Sequence, residues 1–381
     1  MHMNTPPTFF IISGNFPESG IAIPTVDRKT LKKIFGELIR YKGKTAKDRL
    51  KLHIARMLAS EPFLRLFSKE KIVSAEGDIV SQIYNIFEDY IFPICSGSKK
   101  FLIPLFLKDS GDLYGYAKVY EKNGNGDQYG RNEVEKLKKL EKIEFKNASA
   151  PKILEVGETE NLFFYILSTK GDLKKYKGIE NAHINWLLQL SQKTGEYIIF
   201  EKSKFHERLN WEVDFLKSKF IHSADMIEKL YKKAEDKLNG KTFLFSLTMR
   251  EFPFYQALYS PNEFFCLDWE YAEYEFPPVF DFFSLAISEA VSREKGSYNT
   301  KYAEGVKKTF FRKNREIKKY TKKLFNAYRL DRETSFWFFL LYMLDQLYIH
   351  AEAGHNLSAE RGVSLLDKMR KTEEFSINTW L

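Results

Sequence analysis

The chain has 381 residues and a formal charge of +9, from 60 basic against 51 acidic residues. That length predicts one large two-part unit or two domains, and 44% hydrophobic residues with 34 Phe and 21 Tyr exclude a disordered chain. Cys95 and Cys266 alone cannot build a disulfide framework, so a reducing compartment, the cytoplasm, is the expected location.

Taken in chain order, Phe9 to Ile12 is too short for a signal-peptide core. From Arg28 to Phe67 the apolar positions Leu31, Ile34, Phe35, Leu38 and Ile39, then Leu50, Ile54, Leu58, Phe63 and Leu66, follow helical spacing. Residues 1–90 are therefore expected to form a helical N-terminal extension. Residues 91–171 change to short β-rich runs, Phe101 to Leu107, Tyr114 to Tyr120, Ile153 to Val156 and Leu162 to Leu167, interrupted by one helix from about Arg131 to Ile143. Residues 172–381 read as mostly helical, with segments near 184–192, 204–238, 280–292, 302–328 and 335–350 and an embedded strand pair, Phe243 to Leu247 and Glu263 to Leu267. The run Phe336 to Leu344 is about half the length of a membrane span and predicts a buried helix. The fold class is thus α+β: a small β-rich lobe followed by a large, mostly helical one.

The stretch Ser246 to Asp281 carries the chemistry. Asp268-Trp269-Glu270-Tyr271-Ala272 reproduces D-W-E-x-A, and Pro278-Val279-Phe280-Asp281 supplies P-x-x-D. Met249 to Gln256 can be laid on H-G-D-F-x-P-W-N with Phe252 matched, Glu251 for the Asp, Gln256 for the Asn, Tyr255 for the Trp and Met249 for the His. These motifs resemble the signature of the aminoglycoside phosphotransferase and choline kinase group, whose fold is two-lobed and protein kinase-like. A second register, aligning Pro253 with the motif's Pro, puts Arg250 at the acid and Tyr255 at the amide and abolishes the chemistry.

The resemblance implies a phosphotransferase using ATP or GTP and Mg²⁺, with a small hydroxylated acceptor such as a sugar or amino alcohol. Glu251 would orient the acceptor hydroxyl as catalytic base, Gln256 and Asp268 would hold the metal, and Asp281 would brace the loop from a helix N-terminus. Phosphoryl transfer needs little more, because it is mainly positioning and charge neutralisation. Arg250 beside Glu251 either neutralises that carboxylate or draws an anionic acceptor; the sequence does not choose.

Upstream, Lys118 in Tyr116-Ala117-Lys118-Val119-Tyr120 stands where the family has its phosphate-contacting lysine. Glu133 in the E-x-x-x-L-x-x-L run from Glu133 to Leu140 matches the helix glutamate that pairs with it, and Glu135 lies on another face of that helix. Gly97 in Cys95-Ser96-Gly97-Ser98-Lys99-Lys100 is the candidate for backbone approach to phosphate.

Two rival readings stand beside this one. Asp to Glu and Asn to Gln each add a methylene, and a misplacement on the order of 1 Å can cost about 100-fold in rate, so the alternative is a pseudokinase: a nucleotide-binding or scaffolding protein with a protein partner. The basic stretch 306–329 could meet an anionic membrane surface, against the plainer reading of a solvated charged face with its aromatics docked inward; nucleic acid is not an expected partner. The seven His and two Cys give no metal-ligand spacing, and Cys266 reads as core.

Overall fold

The computed structural model describes residues 8–15, 19–24, 26–42, 53, 56, 70–73, 79–96, 100–122, 126–170, 173–260, 263–294, 298–312, 315–371 and 377–380. They fall into two units, 1–138 with 151–171, and 139–150 with 172–381.

The first unit is built on one antiparallel sheet of nine strands: β1 (Thr8–Asn15), β2 (Ser19–Pro24), β3 (Glu70–Val73), β4 (Tyr90–Ile91), β5 (Ile94–Ser96), β6 (Phe101–Leu107), β7 (Leu113–Glu121), β9 (Ile153–Glu158) and β10 (Leu162–Ser168). Their order is β3-β1-β2-β5-β6-β7-β10-β9, with β4 paired to β6. Alternation along the strands feeds two cores. Ile21, Ile23, Cys95 and Phe106 pack with Leu31, Ile34, Phe35 and Leu38 of helix α1 (Arg28–Lys42), while Ala22, Ile94 and Leu105 pack with Val80 and Ile83 of α2 (Ile79–Ile86). Successive strand side chains point to opposite faces, so the helices cover opposite sides of the sheet. That is why Phe101–Leu107 is apolar and buried along nearly its whole length instead of alternating.

The expected helical extension over 1–90 is corrected here. α1 keeps the helical part at 28–42, but β1, β2 and β3 join the sheet of the first unit, and most of 43–69 lies outside the described residues. The helical stripe was legible because its period is local; the pairing of β2 with β5, Ala22 opposite Ile94, is a long-range contact with no local signature. Helix α3 (Gly126–Leu140) starts five residues earlier than its apolar stripe suggested and carries Val134 and Leu137 inward.

The second unit is mostly helical: α4 (Asn181–Thr194), α5 (Lys204–Lys219), α6 (Ala224–Leu238), α7 (Val279–Arg293), α8 (Tyr298–Val306), α9 (Arg315–Tyr328), α10 (Arg332–Glu352) and α11 (Asn356–Lys371). α10 is buried almost all round from Thr334 to Ile349, the expected state of a helix apolar on every face. The predicted 204–238 helix is two, because Phe220 leaves helical backbone while its N–H closes on Leu216 O at 2.8 Å. The two predicted strands do not pair with each other. β13 (Thr242–Thr248) lies between β12 (Glu196–Ile199) and β16 (Glu273–Phe276), and β15 (Glu263–Cys266) lies between β14 (Ala257–Ser260) and β8 (Ala148–Ser149), with β11 (Lys174–Lys175) beyond β14. Strands of two to four residues carry too little pattern to be read from sequence.

Candidate active site

In the first unit, β7 is a central strand, and its register sets Lys118 between Leu102 of β6 and Tyr165 of β10. A lysine buried there needs a counter-charge. Glu133, one turn into the amphipathic part of α3, supplies it: Lys118 Nζ stands 2.6 Å from Glu133 Oε2, and both side chains are buried. Tyr165 also donates its hydroxyl to Glu133 Oε2, and burial followed by the Glu133 charge pushes that hydroxyl well above the usual tyrosine range. Glu135 is an exposed residue 3.6 Å from Lys136 Nζ, outside the pair. Gly97 lies outside the described residues.

In the second unit, β13 runs into the loop Met249–Gln256, and α7 holds that loop by one face. Asp281, in the first turn of α7, accepts the N–H of Met249 at 3.0 Å and of Arg250 at 2.9 Å. One turn on, Ser284 Oγ accepts from Phe252 N at 2.9 Å, and Ser288 Oγ accepts from Phe254 N at 3.0 Å. Positions i, i+3 and i+7 share a helix face, so three side chains of α7 collect four loop amides that no sheet partner satisfies. Burial pushes the Asp281 carboxyl up to about 7, against the opposing pull of the two amides.

Arg250 is the other anchor. It is 1% exposed, with a left-handed φ of 66°. Its Nε donates to Asp345 Oδ1 at 2.9 Å, one terminal nitrogen donates to Glu212 Oε1 at 2.6 Å and also to Asp345, and Gln346 Nε2 donates to its carbonyl at 2.9 Å. Burial alone would weaken its hold on the proton; Asp345 and Glu212 outweigh burial and make it hold harder. The role in drawing an anionic acceptor is therefore excluded, since the guanidinium faces the interior. Met249, in the place of the family's histidine, is fully buried with Sδ 3.2 Å from Cys266 Sγ, and burial raises that thiol so that it stays protonated.

What remains outward is short. Met249, Arg250, Phe252, Pro253 and Phe254 are buried, leaving Glu251, Tyr255 and Gln256 as the loop residues that reach the surface. Tyr255, 54% exposed, occupies the amide position of the rival register, whereas Gln256 Nε2 lies 3.3 Å from Asp268 Oδ2. The hairpin causes this contact, because Ala257 pairs with Cys266 and Leu267 N donates to Gln256 O at 3.1 Å, bringing positions twelve apart in sequence side by side. Asp268 has a left-handed φ of 66°, unusual for a residue other than Gly.

Gln256 Oε1 is buried and accepts no hydrogen bond among the described residues. Asp268 and Glu270 each offer a carboxylate oxygen, within 4.8 Å of each other. An orphaned amide oxygen on a side chain that contacts one of two neighbouring carboxylates belongs to an all-oxygen donor set of the kind that suits a hard divalent cation, so these residues fit Mg²⁺. Sequence reasoning missed Ser284, Ser288, Glu212, Asp345 and Gln346. The first two were findable from their spacing to Asp281, but Glu212 and Asp345 lie 38 and 95 positions from Arg250.

The basic stretch has its apolar face spent. Ile317, Leu324 and Tyr328 of α9, with Phe310 and Phe311 before it, are buried, while Lys318, Lys319, Lys322 and Lys323 are exposed. No helix among the described residues is long and apolar enough to cross a membrane.

No family model and no curated protein matches the sequence. Among solved structures, the amicoumacin kinase hAmiN in complex with AMP-PNP, Ca²⁺ and Ami overlays with a TM-score of 0.50 over 80% of this chain and 97% of its own, at 11% identity. The fold is protein kinase-like. This kinase-like fold also overlays on the gentamicin complex of APH(2'')-IIa, at 14% identity, 80% and 99% coverage and TM-score 0.46, and on the aminoglycoside phosphotransferase APH(4)-Ia, at 13%, 76%, 96% and 0.46. Those two scores are lower, and the fold assignment rests on the first.

Proposed function

We propose that this kinase-like protein is a small-molecule phosphotransferase that moves the γ-phosphoryl of ATP or GTP onto a hydroxyl of a small acceptor, a sugar or amino alcohol. The observation that carries the reading is Gln256, whose Nε2 donates to Asp268 Oδ2 and whose Oε1 is orphaned, on the loop that also displays Glu251. The amicoumacin kinase, which shares the fold, was solved with AMP-PNP and Ca²⁺.

In this reading Lys118, held by Glu133, contacts the nucleotide phosphates as a fixed ammonium. Glu251 accepts the proton of the acceptor hydroxyl as its oxygen bonds to the γ-phosphorus and the bond from that phosphorus to the β,γ-bridging oxygen breaks. Gln256 and Asp268, with Glu270, are the residues to hold Mg²⁺, which when bound neutralises charge on the phosphates. Asp281 keeps its bracing task and touches no reactant.

Thermal unfolding with and without Mg²⁺ and ATP or GTP tests the reading, repeated on Asp268→Ala and Lys118→Ala. Nucleotide at 100 times its dissociation constant stabilises by about 2.7 kcal/mol; the wild type should gain this and the variants should lose it. Stabilisation without transfer to any of a panel of sugars and amino alcohols favours a nucleotide-binding pseudokinase, and no stabilisation at millimolar nucleotide ends the phosphotransferase reading and leaves the scaffolding pseudokinase.

A further inference from the structure

We infer that Arg250 is a positioning residue for this reaction: its clamp to Glu212, Asp345 and Gln346 fixes the backbone on which Glu251 is presented. The inference rests on the phosphotransferase reading above for its functional part, and on geometry alone for the clamp.

Three features of Arg250 converge. Its N–H is taken by Asp281 of α7, its carbonyl by Gln346 of α10, and its guanidinium by Asp345 of α10 and Glu212 of α5. The two sets of tethers come from different helices, so the peptide on either side of Arg250 is held from both. The residue also adopts φ of 66°, a conformation that costs a non-Gly residue on the order of 1–3 kcal/mol and persists only where its surroundings over-determine it. Finally, Glu212 Oε2 is buried with no hydrogen bond among the described residues, so the cluster does not saturate its own polar atoms. An ion pair buried at this cost is a poor device for stability alone, because well-packed apolar residues commonly serve as well or better. What an apolar side chain cannot do is fork to two carboxylates on two helices and so fix one backbone orientation.

The placement makes the orientation consequential. Glu251 is the next residue, and its neighbours Phe252, Pro253 and Phe254 are buried. A rotation of the peptide at Arg250 would therefore be passed directly to the Glu251 side chain, with nothing exposed between them to absorb it. The α7 amide ladder constrains Phe252 and Phe254, but the Glu251 amide is not among its bonds.

The test uses the full chain with Arg250→Lys, which keeps a charge for Asp345 but cannot fork, and Gln346→Met, which unties the loop carbonyl and one hydrogen bond to Asp345 Oδ2 while keeping both ion-pair partners of Arg250. Two readouts are taken on each: amide hydrogen exchange of peptides covering 249–256 against those covering α7 and α10, and turnover with Mg²⁺-nucleotide affinity. The expected result is exchange at 249–256 faster by about tenfold or more with α7 and α10 unchanged, and turnover reduced about tenfold or more at unchanged nucleotide affinity. Loop exchange that stays at the wild-type rate, or that rises equally across the unit, overturns the clamp. Loosened loop exchange with unchanged turnover overturns its positioning role. If the wild type neither binds nucleotide nor transfers phosphate, the functional reading has failed, and the exchange data still decide the clamp. Should Arg250→Lys not fold, Gln346→Met carries the same comparison.

Discussion

Lys118 and Glu133 bury opposite charges against each other at 2.6 Å, with side-chain exposures of 6% and 0%. Removing one partner strands the other without solvent, so Lys118→Met is expected to cost about 3–5 kcal/mol in urea unfolding. Adding Glu133→Gln should recover part of that loss, since the stranded charge then disappears while Tyr165 keeps a partner. A double variant no more stable than Lys118→Met would show that the pair is not the source of the cost.

Glu251→Gln retains size and removes the proposed proton acceptor. Turnover is expected to fall about 100-fold or more, while stabilisation by Mg²⁺-nucleotide is unchanged because Gln256 and Asp268 are untouched. Parallel loss of nucleotide binding would move Glu251 from base to ligand or loop support.

The Glu212 cluster predicts a pH dependence. Burial, opposed by Arg250 and then joined by the Asp345 charge, leaves the Glu212 carboxyl above its ordinary value, at about 7; Arg208 also faces it. The folded chain then holds this proton more tightly than the unfolded chain does. The stability it contributes is present in full below the unfolded value of 4.5 and is lost as pH rises through about 7. Glu212→Gln lacks that contribution, so the wild type's advantage over the variant should shrink from pH 5 to pH 8, roughly the span of the shift. A difference that stays flat over this range would mean that Arg250 dominates and the carboxyl is ionised throughout.

Gly115 marks a close approach in the first unit. A Cβ there would stand 2.5 Å from the Leu167 carbonyl oxygen of β10, and a backbone atom in a central strand cannot swing aside. Gly115→Ala is therefore expected to destabilise by about 1–3 kcal/mol, read as a lower urea midpoint. An unchanged midpoint would mean that β7 and β10 separate more readily than their register implies.

The sequence by itself determined the elements whose signal is local. The apolar stripes of α1, α3 and α7, the all-round apolar run of α10 and the strands Phe101–Leu107 and Leu162–Ser168 could be read because periodicity of 3.6 or 2, or a continuous apolar run, reports burial within a few residues. The candidate chemistry was legible for the same reason, since Glu251, Gln256 and Asp268 stand in one short motif and Lys118 and Glu133 lie fifteen positions apart. Tertiary structure decided the rest. It placed three strands of an expected helical extension in a sheet, split 204–238 into two helices, and distributed β13 and β15 between different sheets. It also set Gln256 against Asp268, which only a folded hairpin can do, and took Arg250 out of solvent, which only a packed interior can do. Those outcomes depend on which distant groups meet, Arg250 with Asp345 above all, and no window of sequence contains both sides of such a contact.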